Sequence, residues 1–330
     1  MSDSKTKKIK KIAVLTSGGD SPGMNCAIRA IVRNSLKNDI KIYGIKRGYS
    51  GLIENEILEL NSSSVGNILQ KGGTFLQSSR SAKFLEKKYR KEAVENLYAR
   101  NIDALIVIGG DGSFNGALAL KSEFDLPIIG IPGTIDNDIL NTQYTIGFDT
   151  AVNTAISAVD KIRDTAHSFE RNFLVEVMGR NSSAIAIKVG ICTGAENILL
   201  PNEDLNLEKI ANDIKRGIRR GKRSSIIIVA EGTTPGRSYE IAQKLEEGFE
   251  LSSKVCVLGH IQRGGSPTAS DRFIATKMGV EAVNSLVNEE YGKVTCWNQS
   301  KIEMRDIEEC AQKADINLVT DKDLAELLSI

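Results

Sequence analysis

The chain has 330 residues, with 43 Lys and Arg against 42 Asp and Glu, so its net charge is +1. That balance argues against a general nucleic-acid binder, which is usually markedly basic, and leaves any anionic ligand to local clusters. A hydrophobic fraction of 41% beside 26% charged residues belongs to a soluble globule rather than a disordered chain. The length suggests roughly two domains or one large α/β unit.

In chain order, Met1–Lys11 is polar and basic. The apolar run that follows, Ile12–Leu15, is too short for a signal-peptide core, so this end reads as a frayed tail leading into a strand. Met24–Lys37 has helical periodicity, Lys41–Ile45 is strand-like, and Val94–Arg100 ends a helix. Asp103–Ile108, Ile128–Ile131 and Phe173–Met178 are predicted strands. Ala151–Arg163 is a predicted helix, with apolar residues at Val152, Ala155, Ile156, Val159 and Ile162. Ile198–Leu200, Ile226–Ala230 and Val255–Leu258 follow as strands, then a long helix over Ala269–Val287. Strands alternating with helices predict parallel sheets with crossover helices. No apolar run reaches membrane-span length; the longest strand-like blocks are Ala104–Ile108 and Ile226–Ala230.

The five cysteines, Cys26, Cys192, Cys256, Cys296 and Cys310, are far apart and form no C-x-x-C. That is reduced, cytosolic usage, and neither a disulfide framework nor a zinc site is expected. His167 and His260 are the only histidines, which excludes a multi-histidine metal centre.

Six predicted strands end in glycine with polar or charged neighbours: Gly18-Gly19-Asp20, Gly109-Gly110-Asp111-Gly112, Pro132-Gly133 through Asp138, Met178-Gly179-Arg180, Glu231-Gly232 and Gly259-His260. In open α/β sheets, ligands bind beyond the carboxyl ends of strands. Bare backbone there permits close approach, and the next helix offers unpaired N–H groups to a phosphate. One such loop is an ordinary turn; six together point to a phosphate-bearing ligand.

There is no G-x-x-x-x-G-K-[ST]: Gly217–Arg223 has the wrong spacing and no hydroxyl residue after its lysine. There is no G-x-G-x-x-G either, because Gly110–Gly116 misses it by one residue and carries Asp111. An aspartate there suits a Mg²⁺ ion on a nucleotide better than a bare pyrophosphate, which favours phosphoryl over hydride transfer. Asp136 and Asp138 read equally well as a base with a second carboxylate or as an Asx-turn. Arg29 and Arg33 share a helix face, and Arg216, Arg219, Arg220, Lys222 and Arg223 form a basic run. Each alone is a solvated face; in a chain of net charge +1 they are candidate anion sites.

The strings LTSGGDSPGMN (15–25), IGGDGS (108–113), PGTIDND (132–138), IGFDTA (146–151), VEVMGR (175–180), VAEG (229–232) and LGHIQRGGSP (258–267) closely resemble the bacterial-type, ATP-dependent 6-phosphofructokinase family. They run in order from about residue 10 to 290. The resemblance implies two three-layer α/β domains with mostly parallel sheets and the active site in the cleft between them. It gives a larger ATP-binding domain over 1–146 plus 260–310. A smaller sugar-phosphate domain would take 147–259 plus 311–330. It implies phosphoryl transfer from MgATP to the 1-hydroxyl of fructose 6-phosphate, the committed step of glycolysis, in a cytoplasmic homotetramer.

By the same resemblance, Gly18, Tyr49, Arg80, Ser81, Gly110, Asp111, Gly112 and Ser113 would hold ATP, with Asp111 linked to Mg²⁺. Asp136 would take the hydroxyl proton, with Thr134 and Asp138 beside it, and Arg180 would face the transferring phosphoryl. Met178, Gly179, Glu231, His260 and Arg263 would hold the sugar phosphate, and Arg171 and Lys254 would reach in from a neighbouring subunit. Arg29, Arg33, Arg163, Glu196, Arg220, Lys222 and Arg223 would form an effector pocket for ADP or phosphoenolpyruvate. Three positions depart from the family pattern. Lys254 stands where an arginine is usual, Ser183 where a glycine is usual, and Ser62 where some members carry an arginine of the effector pocket. The alternatives are a pyrophosphate donor, a wider GGDG kinase acting on NAD or a lipid, and a non-catalytic regulatory paralogue. The PGTIDND and LGHIQR strings speak against the second; Asp111, Asp136, Arg171 and Arg180 speak against the third. A dehydrogenase fails on the glycine spacing.

Overall fold

The computed structural model describes residues 9–169, 171–201 and 203–312, with Leu324 and Leu327. Its strands are β1 (Lys11–Thr16), β2 (Lys41–Ile45), β3 (Ile57–Leu60), β4 (Ala104–Gly109), β5 (Ile128–Pro132), β6 (Asn172–Val177), β7 (Asn197–Leu199), β8 (Ile226–Ala230), β9 (Ser253–Val257), β10 (Lys293–Asn298) and β11 (Lys301–Asp306). Its α-helices are α1 (Met24–Lys37), α2 (Gly48–Ile53), α3 (Lys87–Tyr98), α4 (Asp111–Phe124), α5 (Phe148–Phe169), α6 (Ala184–Thr193), α7 (Leu207–Arg219), α8 (Arg237–Phe249), α9 (Ala269–Val287) and α10 (Ile307–Cys310). Of the expected frayed tail Met1–Lys11, residues 1–8 lie outside the described residues, whereas Ile9 is buried in the core and Lys11 already belongs to β1.

The chain divides into two units. One runs up to Asp149 and resumes at Gly265; the other is Thr150–Gly264. In the first, a seven-stranded sheet has the order β11-β10-β5-β4-β1-β2-β3. Its inner strands are parallel, and β3 and β11 close the edges antiparallel. The period of two along a strand sends alternate side chains to opposite faces. Ile12 and Val14 pack with α1 and α9, through Met24, Ile28, Ile31 and Met278. Ala13 and Leu15 pack on the other face with Leu52 of α2, Val94 and Leu97 of α3, and Phe114 and Ala117 of α4. A Cβ on Gly279 would come within 2.6 Å of the Ala27 carbonyl oxygen, so this glycine is what lets α9 lie against α1.

In the second unit a four-stranded sheet has the order β7-β8-β6-β9, all parallel. Leu174, Ile227 and Val229 pack under Ile210 and Ile214 of α7 and Ile241 and Leu245 of α8. Each sheet has two neighbouring strands whose onward connections run in opposite directions. In the first, β1 leads on to β2 and its neighbour β4 to β5; in the second, β6 leads on to β7 and its neighbour β8 to β9. Such points leave a crevice at the strand carboxyl ends, and the glycine loops lie there.

The division falls at Asp149/Thr150 and Gly264/Gly265 rather than at 146/147 and 259/260. The Gly147 N–H donates to Asp271 Oδ1 at 2.8 Å, which keeps it with the first unit. The 3₁₀ turn Gly259–Arg263 stays with the second, because Gln262 bonds Met178 and Ala151. Ala311 packs in the core of the first unit rather than with the smaller domain; apart from Gln312, Leu324 and Leu327, the rest of 311–330 lies outside the described residues.

Candidate active site

In the first unit the carboxyl ends of β1, β4 and β5 are laced together by backbone. Ser17 N–H donates to the Ile108 carbonyl, Gly133 N–H to that of Gly109, and Ile146 N–H to that of Pro132, each at 2.9 Å. A Cβ on Gly109 would lie 2.4 Å from Ser113 Oγ and 2.6 Å from the Ser17 carbonyl oxygen, so only glycine permits this crossing. Gly110 caps α4 and Asp111 opens it. The helix therefore presents its positive end and unpaired N–H groups beside a half-buried carboxylate. Gly112 is exposed, and a Cβ there would meet nothing within 4 Å. Gly18 (φ +85°) lies close by: its added Cβ would sit 3.4 Å from Ser113 Oγ.

Ser78 Oγ donates to the Gly18 carbonyl, and Ser79 Oγ donates to that of Arg47 at 2.8 Å. These bonds run the loop past β1 and bring in exposed Arg80 and half-buried Ser81. Tyr49 is placed differently from a direct ligand. It is buried, its ring stacks on Phe84 with centroids 4.0 Å apart, and its hydroxyl donates to the Ser113 carbonyl at 2.6 Å. Burial pushes its phenol well above the ordinary range. It supports the first turn of α4 from beneath.

After β5, Thr134 Oγ1 accepts from the Asp136 N–H at 3.2 Å. Asn137, at φ +50°, ties the loop. Its Oδ1 accepts from Thr145 N–H at 2.8 Å and its Nδ2 donates to the Gln143 carbonyl at 3.1 Å. These bonds reach eight and six residues along the chain, so they close the loop and are not a local Asx-turn. Asp136 is buried and Asp138 half-buried.

In the second unit, β6, β8 and β9 are joined in the same way: Glu231 N–H donates to the Val177 carbonyl and Leu258 N–H to that of Glu176, both at 3.0 Å. Arg180 is exposed and left-handed at φ +50°, and its N–H donates to Glu231 Oε1 at 3.2 Å. Gly179 has φ +141°, and a Cβ there would lie 2.7 Å from the Ser182 carbonyl oxygen. This loop is built for glycine at 179, whereas Ser183 has an ordinary φ of −88° and needs none. Buried Glu176 accepts from Gly236 N–H at 2.6 Å and Ser238 N–H at 2.8 Å, fastening the far end of the segment that begins at Glu231. His260 is exposed and Arg263 half-buried, both on the 3₁₀ turn after β9.

Arg171 and Lys254 are brought together elsewhere. Arg171 precedes β6, and exposed Lys254 lies near the start of β9, paired with Phe173. They sit at the amino ends of strands whose carboxyl ends carry Arg180 and His260. A six-residue strand such as β6 spans about 20 Å.

Of the expected effector residues, the second unit gathers three. Lys222 Nζ lies 3.2 Å from Glu196 Oε1, and Glu196 Oε2 accepts from Ile226 N–H at 2.6 Å. Arg163 donates to the Thr193 carbonyl at 2.7 Å, beside Glu196 in sequence. Arg220 and Arg223 are exposed in the same segment. Half-buried Arg29 and exposed Arg33 lie on α1 of the first unit, and Ser62 lies in an exposed turn. Two residues were missed by sequence reasoning: Asn137, legible only as a residue tolerant of positive φ, and Gln262, whose burial nothing local announces.

The family model for phosphofructokinase matches residues 11–286. An ATP-dependent 6-phosphofructokinase of Lysinibacillus sphaericus is 49% identical over 315 residues, covering 94% of this chain and 98% of that protein. One from Thermus thermophilus is 47% identical, covering 94% and 96%. Among solved structures, phosphofructokinase from Saccharomyces cerevisiae aligns with a TM-score of 0.86 at 33% identity, over 97% of this chain. The chain spans only 46% of the yeast protein's length. A pyrophosphate-dependent phosphofructokinase from Marinobacter aquaeolei has a TM-score of 0.83 over 92% of this chain and 84% of its own, but 22% identity, and so shares the fold alone. With its glycine-ended strands, its helix opening on Asp111 and this extent of identity, the chain belongs to the phosphofructokinase family.

Proposed function

We propose that the chain transfers the γ-phosphoryl of ATP to the 1-hydroxyl of fructose 6-phosphate, giving fructose 1,6-bisphosphate and ADP. The observation that carries this reading is the composition of the two sets of strand ends. The first unit offers a helix N-terminus, open glycines and a buried carboxylate after β5. The second offers Arg180, His260 and Arg263 around a braced loop. Phosphoryl transfer needs mainly positioning and charge neutralisation, with a carboxylate near the attacking hydroxyl.

Asp136 takes the hydroxyl proton, beside Thr134 and Asp138. Arg180 meets the charge of the transferring phosphoryl. Met178, Gly179, Glu231, His260 and Arg263 form the sugar-phosphate side. Gly18, Arg80, Ser81, Gly110, Gly112 and Ser113 take ATP, with Tyr49 acting through α4. The residues present fit Mg²⁺. That ion is commonly held by one or two carboxylates together with substrate phosphates, and Asp111 stands at the phosphate end of α4, where no cluster of three ligating side chains occurs among the described residues. Bound there, Mg²⁺ would neutralise phosphate charge. The test is a coupled assay of purified protein with fructose 6-phosphate, comparing ATP and pyrophosphate. Turnover with ATP is expected, and activity with pyrophosphate alone would overturn the donor.

By the family resemblance, Arg171 and Lys254 serve the site of a neighbouring subunit, in a homotetramer. Their place at the amino ends of β6 and β9, about 20 Å from the carboxyl ends that carry Arg180 and His260, supports that reading. An ammonium is a point donor, whereas a guanidinium grips phosphate through two parallel bonds. Lys254→Arg is expected to lower the half-saturating fructose 6-phosphate with little change in maximal rate; a clear rise would show a site rebuilt around lysine. Cytoplasmic residence follows from this substrate pair.

The cluster of Arg163, Glu196 and Lys222, with Arg220 and Arg223 alongside and Arg29 and Arg33 as further cations, is proposed as the effector pocket. A nucleoside diphosphate would enter with its Mg²⁺, and phosphoenolpyruvate would meet Glu196 differently. Effectors typically couple to substrate sites by about 1–3 kcal/mol. Saturation curves for fructose 6-phosphate should shift with ADP or phosphoenolpyruvate, and curves that move with neither would remove this pocket from regulation.

A further inference from the structure

Gln262 is fully buried, on a turn whose neighbours His260 and Ile261 are exposed. Its Oε1 accepts from the Met178 N–H at 2.9 Å, and its Nε2 approaches the Ala151 carbonyl oxygen at 3.4 Å. Met178 is the first residue after β6, where the backbone leaves the ladder. It is buried, so without Gln262 its N–H would lose that partner away from water, a costly state for an amide. One side chain therefore joins the loop that carries Gly179 and Arg180 to the turn that carries His260 and Arg263.

The same loop is strained. Arg180 holds a left-handed conformation that non-glycine residues adopt rarely, and such conformations persist only where the surroundings over-determine them. Three bonds do so here: Gln262 on Met178, the Ser182 N–H donating to the Gly179 carbonyl at 2.8 Å, and Glu231 on the Arg180 N–H. The latter two close within the loop or tie it to β8. Gln262 is the one that ties it to the turn after β9. In a 3₁₀ turn, residues three apart lie on one side, so His260 and Arg263 share a side while Gln262 turns inward.

We propose that Gln262 is a positioning residue for the sugar phosphate: its side-chain amide sets Arg180 in register with His260 and Arg263. This rests on the reading of His260 and Arg263 as the sugar-phosphate side and of Arg180 as touching the bound phosphosugar as well as the transferring phosphoryl. Gln262 touches no substrate itself. Its effect falls on binding of the phosphosugar and not on the nucleotide, because all its partners lie in the second unit, remote in sequence from the Gly109–Ser113 segment.

The test compares Gln262→Asn with Gln262→Met. Asparagine keeps the amide but is one methylene short of Met178. Methionine keeps the length and fills the buried site, but its thioether is only a weak acceptor for the Met178 N–H. Equilibrium binding of fructose 6-phosphate in the absence of ATP is measured alongside steady-state half-saturation for both substrates. For Gln262→Asn, we expect fructose 6-phosphate binding to weaken about 5- to 30-fold, the range for losing one buried hydrogen bond, with half-saturating ATP within about twofold of wild type. Gln262→Met should weaken fructose 6-phosphate binding in the same way, since the volume is kept and the acceptor is lost. A variant that binds fructose 6-phosphate as tightly as wild type would overturn the proposal. So would one that loses both substrates equally or only its maximal rate, since that is the mark of a merely structural side chain. If the wild type itself neither binds nor turns over fructose 6-phosphate, the proposed function has failed, which is a different result.

Discussion

Replacing Asp136 with asparagine is expected to lower turnover by about 10²–10⁴, the usual contribution of a positioned general base. The structure makes this substitution a clean one. Asp136 is 7% exposed, and the Thr134 hydroxyl oxygen accepts from its backbone N–H, a bond that does not depend on its side chain. Asn137 holds the loop as well, through its bonds to Thr145 and Gln143. Asparagine has nearly the same shape, so the loop is expected to persist while basicity is lost. Half-saturating fructose 6-phosphate should change little, since Arg180, His260 and Arg263 are left in place. A rate loss of that size corresponds to about 3–5 kcal/mol of transition-state stabilisation. Turnover near the wild-type value at neutral pH would show that the proton leaves by another route.

The parts legible in the sequence are those whose physics is local. Met24–Lys37 carries a full helical stripe, and the structure begins and ends α1 at those residues. Ala104–Ile108 and Ile226–Ala230 are continuous apolar runs because both faces of a parallel strand are covered. The glycine ends were legible for a related reason: backbone that must approach another chain segment or a ligand excludes a Cβ, and Gly109 and Gly179 meet neighbours at under 3 Å when one is added. What could not be read depends on tertiary partners. Lys293–Asn298 and Lys301–Asp306 have mixed composition, yet they form the antiparallel hairpin at the sheet edge, where only one strand is buried on both faces. Tyr49 matches a family position, but that it lies under α4 with its hydroxyl on Ser113 is fixed by Phe84 and Gly116 packing around its ring. Gln262 is a polar residue in a polar motif, and only the fold reveals that it points inward.

Introducing aspartate at Gly112 is expected to abolish most ATP-dependent activity without unfolding the protein. Gly112 follows Asp111 at the start of α4, is exposed, and has open space where a Cβ would be. The chain itself therefore tolerates the side chain, and aspartate in the first turn of a helix is favoured by the helix dipole. The conflict is with the ligand. A second carboxylate beside Asp111 would place negative charge where the nucleotide phosphates approach the helix N-terminus, and like charges at such distances repel. Gly133, after β5, is placed differently. A Cβ there would meet Ile108 Cγ2 and Met24 Cε at 3.0 Å. Any larger residue at 133 would thus require these core side chains to give way, so packing favours glycine there. Of the two glycines, only Gly112 can be changed without disturbing the core. Gly112→Asp should raise half-saturating ATP or remove detectable turnover, while the melting temperature and fructose 6-phosphate binding stay near wild type. Unchanged ATP kinetics in that folded variant would refute the charge argument. A matching loss of fructose 6-phosphate binding would mean that the helix N-terminus had moved rather than changed its charge.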